Sequence, residues 1–256
     1  MEQEEREAQA RYFRPFFAAY FFYYAGYCVF SSFIVLFLTE RGYSAAVCGV
    51  ITSLTLLANL LMEPVGGYLT DTYLSARSYL TVCIGVITGV CLLATLLFSL
   101  PEVCVAALVL TAGLAYPFGQ LVDAWVNCSR ELDASLVYSR VRAGGSIGFA
   151  LASMAAGYYF EAMGWGSYFL VQAALFLLML PFLCRLPKIE LRNRKGRQET
   201  ERRLSMGESF RVILREPRYL MCLLTCTLFP LQLGHGPKDR EHELACGCGS
   251  VYGLFL

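Results

Sequence analysis

The chain has 256 residues, 57% of them apolar, with a mean hydropathy of +0.51 and 21 basic against 20 acidic residues, a net charge of +1. The charges are clumped, and between the clumps lie seven charge-free stretches of 18 to 25 residues; at about 1.5 Å per residue each is long enough for a hydrocarbon core about 30 Å thick. This excludes a soluble domain, and it excludes a porin-type barrel, whose strands are only about 10 residues long and alternate polar with apolar positions.

In chain order, residues 1–14 carry three Arg and four Glu and are read as a cytoplasmic N-terminus. The apolar run that follows is too long for a cleavable signal peptide and no small-residue cleavage site succeeds it, so the first span is expected to remain as an anchor. Residues 15–186 read as a six-helix transmembrane bundle, with spans at about 16–39, 46–69, 78–99, 103–127, 142–160 and 166–185. The turns at Ser99–Glu102 and Glu161–Gly166 are tight, which favours one compact bundle of antiparallel neighbours.

Residues 187–218 form a basic cytoplasmic linker, where Phe210, Ile213 and Leu214 on one face suggest a short amphipathic helix along the membrane surface. A seventh span starts at Tyr219, contains Pro230 and gives out by residue 233. The tail 234–256 is atypical, with both histidines and a Gly/Cys-rich end, and it is read as a truncation or a shifted reading frame, a naturally short tail being the other reading. Nine of the eleven cysteines are spread singly through or beside apolar stretches and are expected to act as small hydrophobes. Cys246 and Cys248 lack a second pair at zinc spacing, so no metal site is expected.

With the N-terminus in the cytoplasm, 18 of the 21 Lys and Arg fall on the cytoplasmic side and only Arg41, Lys238 and Arg240 on the other. This is the asymmetry of a multi-pass protein of the cell (inner) membrane, with the lipid bilayer as its solvent. It also accounts for the basic run Arg192–Arg203 without nucleic-acid binding.

Ionisable and polar groups at membrane depth are costly and therefore mark function. Tyr116, Gln120, Asp123 and Asn127 recur at spacings of 4, 3 and 4 and form one stripe on the fourth span. A second stripe on the second span runs through Thr52, Thr55, Asn59 and Glu63, and a third on the first span through Tyr20, Tyr24, Tyr27 and Ser31, where packing or interface anchoring is an equal explanation. On the fifth span Gly144, Gly145, Ser146 and Gly148 remove bulk so that another helix can approach. Arg142, in its first turn, shares a face with Gly145 and Phe149, which sets a guanidinium fork one to two turns from an aromatic plate.

The run Tyr138-Ser-Arg140-Val-Arg142-Ala-Gly-Gly145-Ser-Ile-Gly148-Phe149 resembles the fifth-helix signature of the lactose-permease-like oligosaccharide:proton symporters and the related nucleoside:proton symporters of the major facilitator superfamily. It departs from that signature at Ser139, where the family usually has Gly. The resemblance implies that Arg142 contacts the solute and is matched with Asp123, with Phe149 in place of the family's sugar-stacking Trp. Likewise Gly67 and Asp71, followed by Arg77, resemble the superfamily's loop between helices 2 and 3, although Thr72 and Leu74 depart from it. There the Asp latches the two halves in the outward-open state, which implies a conformational gate at Gly67, Asp71 and Arg77.

The resemblance covers about residues 12–232. It implies an all-α, polytopic membrane helical bundle, the six-helix N-terminal half of a major-facilitator fold plus the start of a seventh helix. The expected function is that half of a secondary active transporter for a small polar solute, a sugar or nucleoside, working by alternating access. The site would comprise Asp123, Arg142, Asn127, Gln120, Phe149, Glu63, Asn59 and Tyr27, with a proton as coupling ion, no other cofactor and no enzymatic activity. Since the family has twelve spans, the partner would be a C-terminal half or a second chain. The competing reading is a non-transporting truncated membrane protein.

Overall fold

The computed structural model of the chain describes residues 2–130 and 136–186, with side chains from Tyr12 onward, and the single helical residues Pro217 and Met221. The rest of the linker 187–218, the seventh span at 219–233 and the tail 234–256 lie outside the described residues. The chain divides into two compact units, Met1–Arg197 and Gln198–Leu256, and the helices that follow all belong to the first.

These are α1 (Glu2–Glu40), α2 (Ala45–Thr72), α3 (Ala76–Leu96), α4 (Pro101–Ala115), α5 (Phe118–Ser129), α6 (Tyr138–Met163) and α7 (Tyr168–Leu183), with one 3-10 turn at Trp165–Ser167 before α7. Their ends follow local chemistry. Ser44 caps α2 by accepting from the Val47 amide at 3.4 Å, and Ser75 caps α3 by accepting from the Ser78 amide at 3.2 Å. Pro101 opens α4, where its missing N–H costs nothing. Gly164, at φ +75°, adopts the left-handed backbone that ends α6.

Among the described residues five helical segments are long and apolar enough to cross a membrane: Tyr12–Glu40, Ala45–Thr72, Ala76–Leu96, Pro101–Ser129 and Trp165–Leu183. α6 has 26 residues, but Arg140, Arg142, Glu161 and its small residues lower its apolarity, as suits a helix packed against protein. Two sequence expectations are corrected. The fourth span is not one helix over 103–127: it breaks at Tyr116-Pro117 into α4 and α5, since proline brings no amide and its ring crowds the carbonyl four residues back. The fifth span starts at Tyr138 rather than 142, because helical geometry continues past the arginines that bound the apolar run, and Arg142 therefore lies in the second turn.

α1 packs mainly on α6 and α7, α2 on α4, and α3 on α4 and α7. Exchanging the first three spans (α1, α2, α3) in order with the last three (α4–α5, α6, α7) leaves these pairings unchanged. α1–α6 becomes α4–α2, α1–α7 becomes α4–α3, and α3–α7 maps onto itself, the internal symmetry of a bundle made from two three-helix repeats.

Between α1 and α6 the approach is very close. A Cβ on Gly144 would stand 2.6 Å from the Phe17 carbonyl oxygen, and one on Gly148 would overlap the backbone of Phe21. The small residues of α6 thus serve the close approach that their spacing predicts, and its partner is α1. Away from this seam an aromatic cluster fills the bundle, with Phe37 stacked on Tyr168 at 4.4 Å and Phe160 on Trp165 at 4.9 Å. Arg41 closes the adjoining loop: it donates to the Phe98 carbonyl at 2.7 Å and lies 4.2 Å from the centre of that ring.

Candidate functional site

The contact of α1 with α6 sets the tyrosines of α1 beside Arg142, and α5 brings Asp123 to the same place. The Tyr20 hydroxyl donates to Oδ1 of Asp123, and Nη1 of Arg142 donates to the Tyr24 hydroxyl at 2.5 Å. Arg142 and Asp123 themselves approach no closer than 3.9 Å, with side chains 19% and 29% exposed. The guanidinium carbon lies 5.1 Å from the Tyr24 ring centre and 6.0 Å from that of Tyr20. Tyr138, at the start of α6, lies near the same carboxylate.

The position of Tyr24 depends on Gly145, where a Cβ would lie 2.5 Å from Cδ2 of that ring. Along α1 the aromatic wall continues: Tyr27 lies 5.3 Å from Tyr116 edge to face and 6.5 Å from Phe149. Tyr23 packs on Tyr24 and donates to the Tyr116 carbonyl at 3.3 Å. The result is a half-buried carboxylate and guanidinium at one end of a strip of rings. Such a strip can stack a flat or ring-shaped solute while the charged groups hold its hydroxyls or amides.

The structure places the remaining expected residues as follows. Gln120 donates from Nε2 to Oε1 of Glu63 at 2.7 Å, so the stripes of α5 and α2 meet at an exposed hydrogen bond. Asn59 lies one turn further along α2, and its buried Oδ1 has no hydrogen-bond partner. Asn127 is exposed one turn beyond Asp123. The hydroxyls of Thr52 and Thr55 turn back to the Cys48 and Thr52 carbonyls of their own helix. Gly67 faces open space, and Asp71 and Arg77 flank the short turn between α2 and α3. Among the described residues no hydrogen bond or ion pair joins those two.

Tyr20 and Tyr24 are the residues that sequence reasoning undervalued. The spacing of 4 was visible, but their bonds to residues more than 100 positions away were not. For Tyr20, which is fully buried and hydrogen-bonded, anchoring at the lipid interface is ruled out.

The helix order, the two-repeat packing and the half-buried charged pair inside the bundle define a multi-pass membrane protein with the fold of one six-helix half of a major-facilitator transporter. The chain belongs to the MFS_1-like family, whose model matches residues 16–240. It is similar to two solved structures of the nucleoside transporter NupG. One superposes with a TM-score of 0.64 at 18% identity, covering 85% of this chain and 54% of that one. The other, a mutant form, gives 0.62 at 18%, covering 82% and 53%. At this identity the likeness is one of fold, and the chain spans about half the length of these relatives. No curated protein sequence matches the chain.

Proposed function

We propose that the chain is the N-terminal six-span half of a secondary active transporter for a small polar solute of the sugar or nucleoside kind, with Asp123 and Arg142 as its polar solute contacts. The observation that carries this reading is the Asp123–Arg142 pair, half-buried inside a helical bundle and 3.9 Å apart. Charged groups at such depth are costly unless they serve a solute or ion path. The rings of Tyr27, Tyr116 and Phe149 supply the stacking surface, and Gln120, Glu63, Asn59 and Asn127 further polar contacts. The solved relatives are described as nucleoside transporters, which supports a nucleoside over a disaccharide. The fold supports alternating access, and the fifth-helix resemblance supports a proton as the coupling ion.

In this reading the N-terminus is cytoplasmic, which the distribution of basic residues supports, and Gly67, Asp71 and Arg77 belong to the gate. A C-terminal half or a second chain supplies the other side of the site, because rocking needs two halves around it. The test is uptake of labelled uridine and lactose by cells expressing this chain, alone and fused to the C-terminal half of a relative. Asp123→Asn and Arg142→Ala are expected to abolish uptake without removing the protein from the membrane. Unchanged uptake in both removes the site assignment.

The alternative reading is a membrane protein that does not transport by itself. Uptake by the fusion but not by the short chain is the outcome that reading expects.

A further inference from the structure

We propose that Tyr20 and Tyr24 are positioning residues that hold Asp123 and Arg142 apart, so that the pair remains open to a solute; this rests on the transport reading above. A carboxylate and a guanidinium on facing helices in a poorly hydrated interior attract strongly and ordinarily close into a fork of two hydrogen bonds at about 2.7–2.9 Å. Here the nearest approach is 3.9 Å. The two atoms that would meet, Oδ1 and Nη1, are each already bonded to a tyrosine hydroxyl, Tyr20 on the acid and Tyr24 on the base.

The two tyrosines are built into place. They lie one turn apart on α1 with rings 12° from parallel and 6.3 Å between centres. Tyr20 is fully buried, and Tyr24 sits over Gly145, where any side chain would displace it. Arg142 lies against both ring faces, so its position as well as its hydrogen bonding is set by α1. A solute entering such a site exchanges tyrosine hydroxyls for its own hydroxyls or amides, with no closed ion pair to break. Without the tyrosine hydroxyls the pair is free to close, and binding must first open it.

The experiment measures the concentration dependence of labelled uridine and lactose uptake for Tyr20→Phe, Tyr24→Phe and Gly145→Ala, in this chain and in the fusion to a C-terminal half. The phenylalanines keep the rings and remove the hydroxyls, while Gly145→Ala keeps the hydroxyl and shifts the Tyr24 ring. All three are expected to raise KM at least tenfold with the maximal rate changed less than threefold and the membrane level of protein unchanged. KM within twofold of the parent in all three overturns the positioning role, as does a fall in protein level and maximal rate with KM unchanged, which is what a packing role produces. If neither parent form accumulates either solute, the transport reading fails and the inference with it. Uptake by a parent with insensitive variants overturns only the tyrosines' role.

Discussion

Arg142 and Asp123 face each other across α5 and α6 at 3.9 Å, and each hydrogen-bonds to a tyrosine hydroxyl, Arg142 to Tyr24 and Asp123 to Tyr20. An acid and a base in that relation inside a helical bundle leave hydrogen-bonding capacity for a third partner, which is the ground on which we propose the solute contact at this point.

Replacing the fork with a point charge separates geometry from charge. Arg142→Lys keeps the cation but loses planar two-point bonding, and a charge-assisted hydrogen bond is worth about 1.5–3 kcal/mol. KM for uptake by the completed transporter is expected to rise roughly 10- to 100-fold, a range set by the same bond energy. A KM within twofold of the parent in Arg142→Lys would show that the guanidinium does not touch the solute.

The α1–α6 seam has no spare volume at Gly144 and Gly148 and ample space beside Gly85. Gly148→Ala forces a methyl onto the α1 backbone and should lower stability by about 1–3 kcal/mol, as overpacking generally does. Gly85→Ala should leave the melting temperature in detergent unchanged or slightly higher, since alanine is the better helix former. Equal melting temperatures for the two variants would contradict the close apposition of α1 and α6.

Asn59, proposed above as a polar solute contact, holds an acceptor that the fold leaves unmet. Its buried, unpartnered Oδ1 carries a desolvation cost of about 1–3 kcal/mol. Asn59→Leu, of similar size, is expected to raise the melting temperature of the unliganded protein and to weaken solute uptake. A higher melting temperature with undiminished uptake would remove Asn59 from the site.

Pro117 divides the fourth span, and a Cβ on Gly66 of α2 would lie 3.4 Å from the proline ring. Pro117→Ala restores the missing amide and favours one continuous helix, which turns the face of α5 relative to α4. Solute affinity should fall while the protein stays in the membrane. A change in retention with unaltered affinity would mean that the break serves folding alone.

Much of this was legible in the sequence because lipid imposes a simple rule: charges sit where the membrane ends. The six spans and the role of Gly144 and Gly148 in helix approach follow from that rule and from helical spacing, whereas the matching of Asp123 with Arg142 was implied only by the resemblance to the symporters. The break at Pro117 did not, since Pro15, Pro64 and Pro181 sit inside unbroken helices and a proline by itself does not announce which will yield. Nor did the start of α6, because the charges at Arg140 and Arg142 mark the end of an apolar run and not the end of a helix. The tyrosine bonds were hidden for a different reason. Spacing on one helix shows which side chains share a face, but which helix that face meets is decided by tertiary packing.

The central claim is that a solute binds at Asp123 and Arg142, and uptake of labelled uridine and lactose tests it most directly. The comparison is between cells carrying this chain fused to a relative's C-terminal half and cells carrying the same fusion with Asp123→Asn. The account predicts saturable uptake of at least one solute by the parent and its loss in the variant at equal membrane levels. Equal uptake by both would contradict it.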